Sequence, residues 1–338
     1  MSGGHPVRVG VLGTGRIGSM HAELLAGRVA GATLAAVYDA DPGRAEEVAA
    51  RLLATSASSL DELLAADIDA IAICTSTDTH VDAVVAAATA GKAIFCEKPI
   101  SLDLAAVDRA LAAVEQAGVL FQVGFNRRFD PAHQSVREAV AAGTVGDVHL
   151  VRISSRDPSP PPLEYARTSG GLFLDMTIHD FDMARYVTGS EVVEVYARGG
   201  VRITPELVDI GDIDTAVVTL VHESGALTVI DNSRQAVYGY DQRVEAFGSL
   251  GMAASENPLA HTGLVRTVDG TRAATLPYFF LERYIPSYLG EWDAFVTAVQ
   301  HDLPAPVGGA DGRAPLVIGL AARRSLHEGR PVHVAEIG

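Results

Sequence analysis

The chain has 338 residues, 48% of them hydrophobic, and a formal net charge of −16. That length and apolar fraction suit about two domains with a sizeable core, and no stretch reaches the roughly 18 uninterrupted apolar residues of a membrane span. The negative balance argues against nucleic acid or an anionic membrane surface as a partner.

The start, Met1–Pro6, shows no charged-then-apolar signal pattern, so a cytoplasmic location is expected. Val7–Leu12 then reads as a strand and Ile17–Leu25 as a helix, followed by a strand at Thr33–Tyr38 and a helix at Pro42–Leu53 with Pro42 near its first turn. Ala70–Cys74 is a short apolar strand, and a helix runs from about His80 to Ala90. Ala93–Cys96 and Leu120–Gly124 are further strands, separated by a helix at Leu104–Ala117. Short apolar strands alternating with helices predict a parallel sheet covered on both faces, an α/β Rossmann domain over residues 1–124. Cys74 and Cys96 end two of these runs and read as buried thiols, since a pair makes neither a disulfide framework nor a zinc cluster.

After Gly124 the pattern changes. A helix near Pro131–Ala142 leads into alternating runs at Val148–Ser154, Val192–Arg198, Thr215–His222, Ala226–Asp231 and Gln242–Phe247. Strands without intervening helices predict an α+β domain over residues 125–338 built on a large, mainly antiparallel sheet. Asp157–Pro162 is a stiff proline-rich loop. The tail returns to helix at Gly290–His301 and Gly312–Leu326, and the last helix can pack back on the first domain.

Gly13-Thr14-Gly15-Arg16-Ile17-Gly18 follows the first strand and opens the first helix. Gly13 permits the tight turn, Gly15 lets a pyrophosphate approach the backbone, and Gly18 lets helix and strand pack closely. Asp39 ends the second strand, where a carboxylate binds ribose hydroxyls and repels a 2′-phosphate, so NAD is expected rather than NADP. Lysine occurs only at positions 92 and 98, against about two dozen arginines. Lys92 reads as an ordinary turn residue, whereas Lys98 ends a buried strand in Cys96-Glu97-Lys98-Pro99. A lysine, unlike an arginine, can release a proton when desolvated. Asp175 and His179 are four apart, so on one helix they share a face, and a carboxylate there fixes the tautomer of a general base. His179, Asp180 and Asp182 are too crowded, and too far from any cysteine, for a catalytic zinc site. Gly248-Ser249-Leu250-Gly251 lacks the spacing of a nucleophile elbow. Asn126–Asp130 stands at the domain junction, where ligands bind in such folds.

Together these residues resemble the Gfo/Idh/MocA family of two-domain oxidoreductases over nearly the whole chain. The likeness rests on Gly13–Gly18, Glu97-Lys98-Pro99, Gly124–Asp130 and Asp175-x-x-x-His179. Gly15–His21, Thr177–Arg185 and Ala236–Arg243 look most like its inositol 2-dehydrogenase branch. The resemblance implies a Rossmann domain followed by an open-faced sheet through which homotetramers form. It also implies that Lys98 hydrogen-bonds the hydroxyl being oxidised, His179 takes its proton, and Asp175 supports both, with the Lys98–Pro99 peptide cis. NAD contacts are implied at Gly13, Thr14, Gly15, Arg16, Ile17, Gly18, Asp39, Thr75, Ser76, His80 and Glu97. Polyol contacts are implied at Asn126, Arg127, Asp157, Thr177 and Tyr238, beside Lys98, Asp175 and His179.

The expected activity is NAD-dependent oxidation of a secondary hydroxyl of a cyclic polyol, foremost myo-inositol to its 2-keto product, with no metal. A scyllo-inositol or aldose dehydrogenase of the same family stands beside it. So does a non-catalytic NAD-binding regulator, which would need no proton-transfer set.

Overall fold

Strands buried on both faces must be almost wholly apolar, and the first sheet is made of such strands. The structure, a computed structural model, describes residues 5–338, so Met1–Gly4, part of the stretch read for a signal pattern, lie outside it. The elements run β1 (Val7–Leu12), α1 (Arg16–Gly27), β2 (Ala32–Tyr38), α2 (Pro42–Leu52), β3 (Thr55–Ser56), α3 (Leu60–Ala65), β4 (Ala70–Ile73), α4 (Thr77–Thr89), β5 (Ala93–Cys96), α5 (Leu104–Ala117) and β6 (Phe121–Val123). Every pairing is parallel, in the order β3-β2-β1-β4-β5-β6. The order reverses at β1 and β4, and a doubly wound sheet binds ligands beyond the strand ends at that point. The helices start and stop where local chemistry dictates. Asp41, Ser59 and Asp103 cap α2, α3 and α5 through their side chains, and Gly118 (φ 64°) ends α5 in the left-handed region.

The sequence pattern marks one boundary near Gly124, but the chain returns: residues 288–314 cluster with the first unit. Hydrophobic burial accounts for this. Trp292 is fully buried, stacked on Phe95 at 4.5 Å between ring centroids, with Phe295 edge-on to both.

The second unit, residues 127–287 and 315–338, continues with α6 (Pro131–Ala141), β7 (Val148–Arg156), α7 (Leu163–Thr168), α8 (Gly171–Asp175), α9 (Ile178–Thr188), β8 (Val192–Gly200), β9 (Thr215–His222), β10 (Leu227–Ser233), β11 (Asp241–Gly248), β12 (Gly251–Ser255) and the hairpin β13 (Leu264–Thr267) with β14 (Gly270–Ala273). Then come α10 (Phe280–His301), α11 (Gly309–Glu328) and β15 (Val332–His333). α10 begins ten residues before its expected start and runs through Pro286. The sheet order is β12-β11-β7-β10-β9-β8-β15, antiparallel except where β10 lies parallel to β7. The helices between β7 and β8 supply the long crossover that a parallel neighbour requires. Period-two alternation buries Val218, Leu220, Ile230, Val244 and Ala246 beneath Phe181 and Met183 of α9 and Ile318 and Ala322 of α11. Apolar side chains including Val217, Leu227, Phe247 and Met252 from the same sheet remain exposed.

Candidate active site

The glycine turn shows a steric demand at two of its three glycines. Gly13 sits at φ 89°, and a Cβ there would lie 2.8 Å from the Cys74 carbonyl oxygen. A Cβ on Gly18 would meet the Gly13 carbonyl oxygen at 1.8 Å, so only glycine allows α1 to pack on this turn. A Cβ on Gly15 would meet nothing within 4 Å, and no side chain caps the α1 N-terminus that Gly15 precedes. An open backbone at a helix N-terminus is the cradle a pyrophosphate takes. Arg16 is exposed and Ile17 half-buried beside it. Asp39 accepts the Thr14 N–H at 2.6 Å, the Thr14 hydroxyl at 3.1 Å and the Asp41 N–H at 2.9 Å. Burial pushes its carboxyl up, but these donors outweigh that and hold it below the ordinary value. A fixed carboxylate at the end of β2 fits the ribose of NAD and opposes a 2′-phosphate.

Beyond β4 and β5 the side chains brace a loop. His80 is buried, its Nδ1 2.9 Å from the Pro99 carbonyl and its Nε2 3.0 Å from the Thr75 carbonyl. Burial lowers its pKa, and the neutral ring has one N–H, so it donates to one of these carbonyls and packs against the other. Thr75 accepts the Thr79 hydroxyl at 2.7 Å, and Ser76, exposed, precedes α4. The Lys98–Pro99 peptide is cis. Trp292 donates its indole N–H to His21 Nδ1 at 2.9 Å, which leaves the His21 proton on Nε2, 2.8 Å from Glu97 Oε1. Glu97 Oε2 accepts the Lys98 N–H at 3.2 Å. Glu97, also expected at the cofactor, thereby braces the backbone of half-buried Lys98. His21 stood in the quoted motif without a role, and Trp292 lies 271 residues from it, beyond any local signal.

In the second unit Asp175 and His179 do not share one helix. α8 ends at Asp175 and α9 begins at Ile178. Both the Met176 and Thr177 N–H groups reach the Leu172 carbonyl, at 3.0 and 2.9 Å, which widens the turn. The Thr177 hydroxyl lies 2.8 Å from Asn232 Oδ1 and 3.2 Å from the Leu172 carbonyl, pinning the break. Thr177, expected to contact the polyol, is fully buried at this break. From Leu172 to Ala184 only Asp175 and His179 are not buried, so the backbone opens these two alone toward solvent.

Asp175 Oδ1 accepts the Tyr165 hydroxyl at 2.8 Å, and Oδ2 accepts Arg234 Nη1 and Nη2 at 3.3 and 3.2 Å. Asp157 Oδ2 lies 3.7 Å from the same guanidinium. Burial and the neighbouring Asp175 push Asp157 up to about 6, against the pull of Arg234. Tyr165 and Arg234 carried no local signal, because their partners come from separate elements. Arg127 is buried and donates to Asp180 at 2.7 Å, while Arg128 grips Asp182 in a bidentate pair at 2.8 and 2.6 Å. Those two acids, weighed as metal ligands, are engaged by arginines. Asn232 also donates to Asp180, at 2.8 Å. Tyr238 is 50% exposed, donates to Asp241 at 2.6 Å and accepts from Arg156 at 3.0 Å. Asn126 is buried in the first unit.

Residues 7–125 match the oxidoreductase family with an NAD-binding Rossmann fold, and residues 133–254 match the GFO/IDH/MocA C-terminal domain. The chain is 49% identical to the myo-inositol 2-dehydrogenase of Thermotoga maritima, over 98% of its own length and 99% of that protein. It is 46% identical to the inositol 2-dehydrogenase of Rhizobium meliloti, over 97% and 99%. Its fold superposes with a TM-score of 0.91, at 30% identity and over 98% and 99% of the chains, on a scyllo-inositol dehydrogenase from Lactobacillus casei solved with NAD(H) and scyllo-inositol. No helix among the described residues is long and apolar enough to cross a membrane. With both domains matched and relatives aligned end to end, the chain belongs to the GFO/IDH/MocA family of oxidoreductases.

Proposed function

We propose that the protein is an inositol 2-dehydrogenase that oxidises the 2-hydroxyl of myo-inositol to the ketone with NAD. The identity to the Thermotoga enzyme supports this reading. So does the partial burial of Asp175 and His179 alone in an otherwise fully buried stretch, Leu172 to Ala184. Gly13–Gly18, Asp39, Thr75 and Ser76 would hold the dinucleotide, whose nicotinamide supplies the hydride acceptor. Lys98 donates a hydrogen bond to the substrate oxygen, and His179 takes the hydroxyl proton as the C–H bond breaks and the carbonyl forms. Asp175, fixed by Arg234 and Tyr165, stabilises the positive charge that His179 gains. Glu97, steadied by His21, holds the Lys98 backbone. Asn126, Arg127, Asp157, Thr177 and Tyr238 are the polyol contacts in this reading.

The same reading places the enzyme in the cytoplasm as a homotetramer built on the open sheet face. Exposed Val217, Phe247 and Met252 support burial of that face against another copy. The test is NADH formation against myo-inositol, scyllo-inositol, chiro-inositol and glucose, each with NAD and NADP. Turnover is expected on myo-inositol with NAD. Turnover on another polyol alone would overturn the substrate, and NADH binding without turnover on any would favour a regulator.

A further inference from the structure

Arg234 follows β10 and is 2% exposed, among the largest fully buried side chains of the second unit. Its own N–H is held by the Asp214 carbonyl at 2.9 Å, so the residue is fixed at both ends. The guanidinium faces two carboxylates from different elements: Asp175 at the end of α8, at 3.2 Å, and Asp157 just after β7, at 3.7 Å. The backbone brings these segments together as well. The Asp157 N–H bonds the Ser233 carbonyl at 2.9 Å, and the Ala236 N–H bonds the Asp157 carbonyl at 2.6 Å.

We propose that Arg234 is a positioning residue: it clamps Asp157 and Asp175 as one ionised pair and thereby sets the pH range over which the polyol pocket works. This rests on the dehydrogenase reading above. Two carboxylates facing one buried cation can both stay charged, whereas without the cation one of them must take up a proton. A protonated Asp157 donates where the carboxylate accepts, so polyol hydroxyls would meet a reversed hydrogen-bond pattern.

The other groups facing the pair act from fixed positions. Arg127, itself paired to Asp180, lies on the Asp157 side with Tyr240. Tyr165 holds the far oxygen of Asp175, and His179 follows on the next turn. Arg127 is committed to Asp180, so among these groups Arg234 is the permanent cation that faces both Asp157 and Asp175. Asp157 already sits high, at about 6, with Arg234 opposing the rise, so loss of that charge moves it toward neutrality.

The test compares the wild-type enzyme with Arg234→Gln and Arg234→Lys. The pH profile of kcat/KM for myo-inositol is read together with NADH binding by fluorescence. The Asp157 carboxyl is also titrated by 13C NMR, assigned with Asp157→Asn. Arg234→Gln is expected to raise the Asp157 midpoint and the acidic limb of kcat/KM by about one pH unit or more. NADH affinity should be unchanged, and Arg234→Lys should restore most of the shift. An unmoved carboxyl midpoint in Arg234→Gln overturns the proposal, as does a pH-independent loss that Arg234→Lys leaves uncorrected. A wild-type protein inactive on every polyol would overturn the dehydrogenase reading instead, and the carboxyl titration still decides the clamp.

Discussion

Replacing His21 by leucine tests the chain of contacts beneath Lys98. His21 is fully buried, takes the Trp292 indole N–H on Nδ1, and donates from Nε2 to Glu97. Leucine fills similar space but leaves the indole N–H and Glu97 Oε1 both without a partner in a water-poor interior. Each orphaned group costs about 1–3 kcal/mol. The two share one network and do not simply add, so a loss of about 3 kcal/mol is expected. At about 2–4 °C per kcal/mol for a unit of this size, Tm should fall by roughly 6–12 °C. Trp292→Phe is the milder companion. It keeps the stack on Phe95 and removes a single donor, so it should cost less than half as much. Thermal denaturation of the purified variants is the assay, with kcat measured below the transition. As Glu97 loses its brace and Lys98 its fixed backbone, kcat should fall while the KM for NAD stays near wild type. A His21→Leu protein within about 1–2 °C of wild type would refute the network.

Lys98→Met and His179→Ala should each lower kcat on myo-inositol by about 10²–10⁴ with NADH binding retained, and unchanged turnover in either would remove that residue from the mechanism. Asp39→Ser removes the carboxylate that Thr14 and Asp41 hold in place, so the NAD-to-NADP ratio of kcat/KM should narrow. A ratio equal to wild type would assign the selection to another group. Asp157 titrates near 6 in the folded protein against an ordinary 3.8, so the folded state holds the extra proton between those values. Its contribution to stability is therefore fully present below about pH 4 and is lost as pH rises through 6. Asp157→Asn mimics the protonated form. Its stability relative to wild type should improve by about 2 kcal/mol from pH 4 to pH 7 in denaturant titrations. A difference independent of pH would show that Asp157 is not raised.

The elements legible in the sequence are those whose signal is local. Leu104–Ala117 is framed by its own caps, Asp103 and Gly118, and Thr215–His222 alternates cleanly because one face is buried. The glycine turn is legible because steric demands at Gly13 and Gly18 permit no other residue. Thr55–Ser56 is too short to carry a period, and the start of α10 is masked by Pro286, which the helix tolerates. The return of residues 288–314 is written in tertiary packing, as Trp292 against Phe95 shows. At the site, the residue types at 98, 175 and 179 pointed to proton transfer. The residues that hold them, His21, Trp292, Tyr165 and Arg234, have partners far off in sequence. Their identities gain meaning only once the sheet is assembled.

The most direct test uses myo-inositol carrying deuterium at C2, incubated with the enzyme and NAD, with the reduced nicotinamide and the product examined by mass spectrometry. Oxidation at that carbon predicts deuterium in the reduced cofactor and an unlabelled 2-keto product. Reduced cofactor without deuterium would show that another carbon is oxidised, and no reduced cofactor at all would contradict dehydrogenation of this substrate.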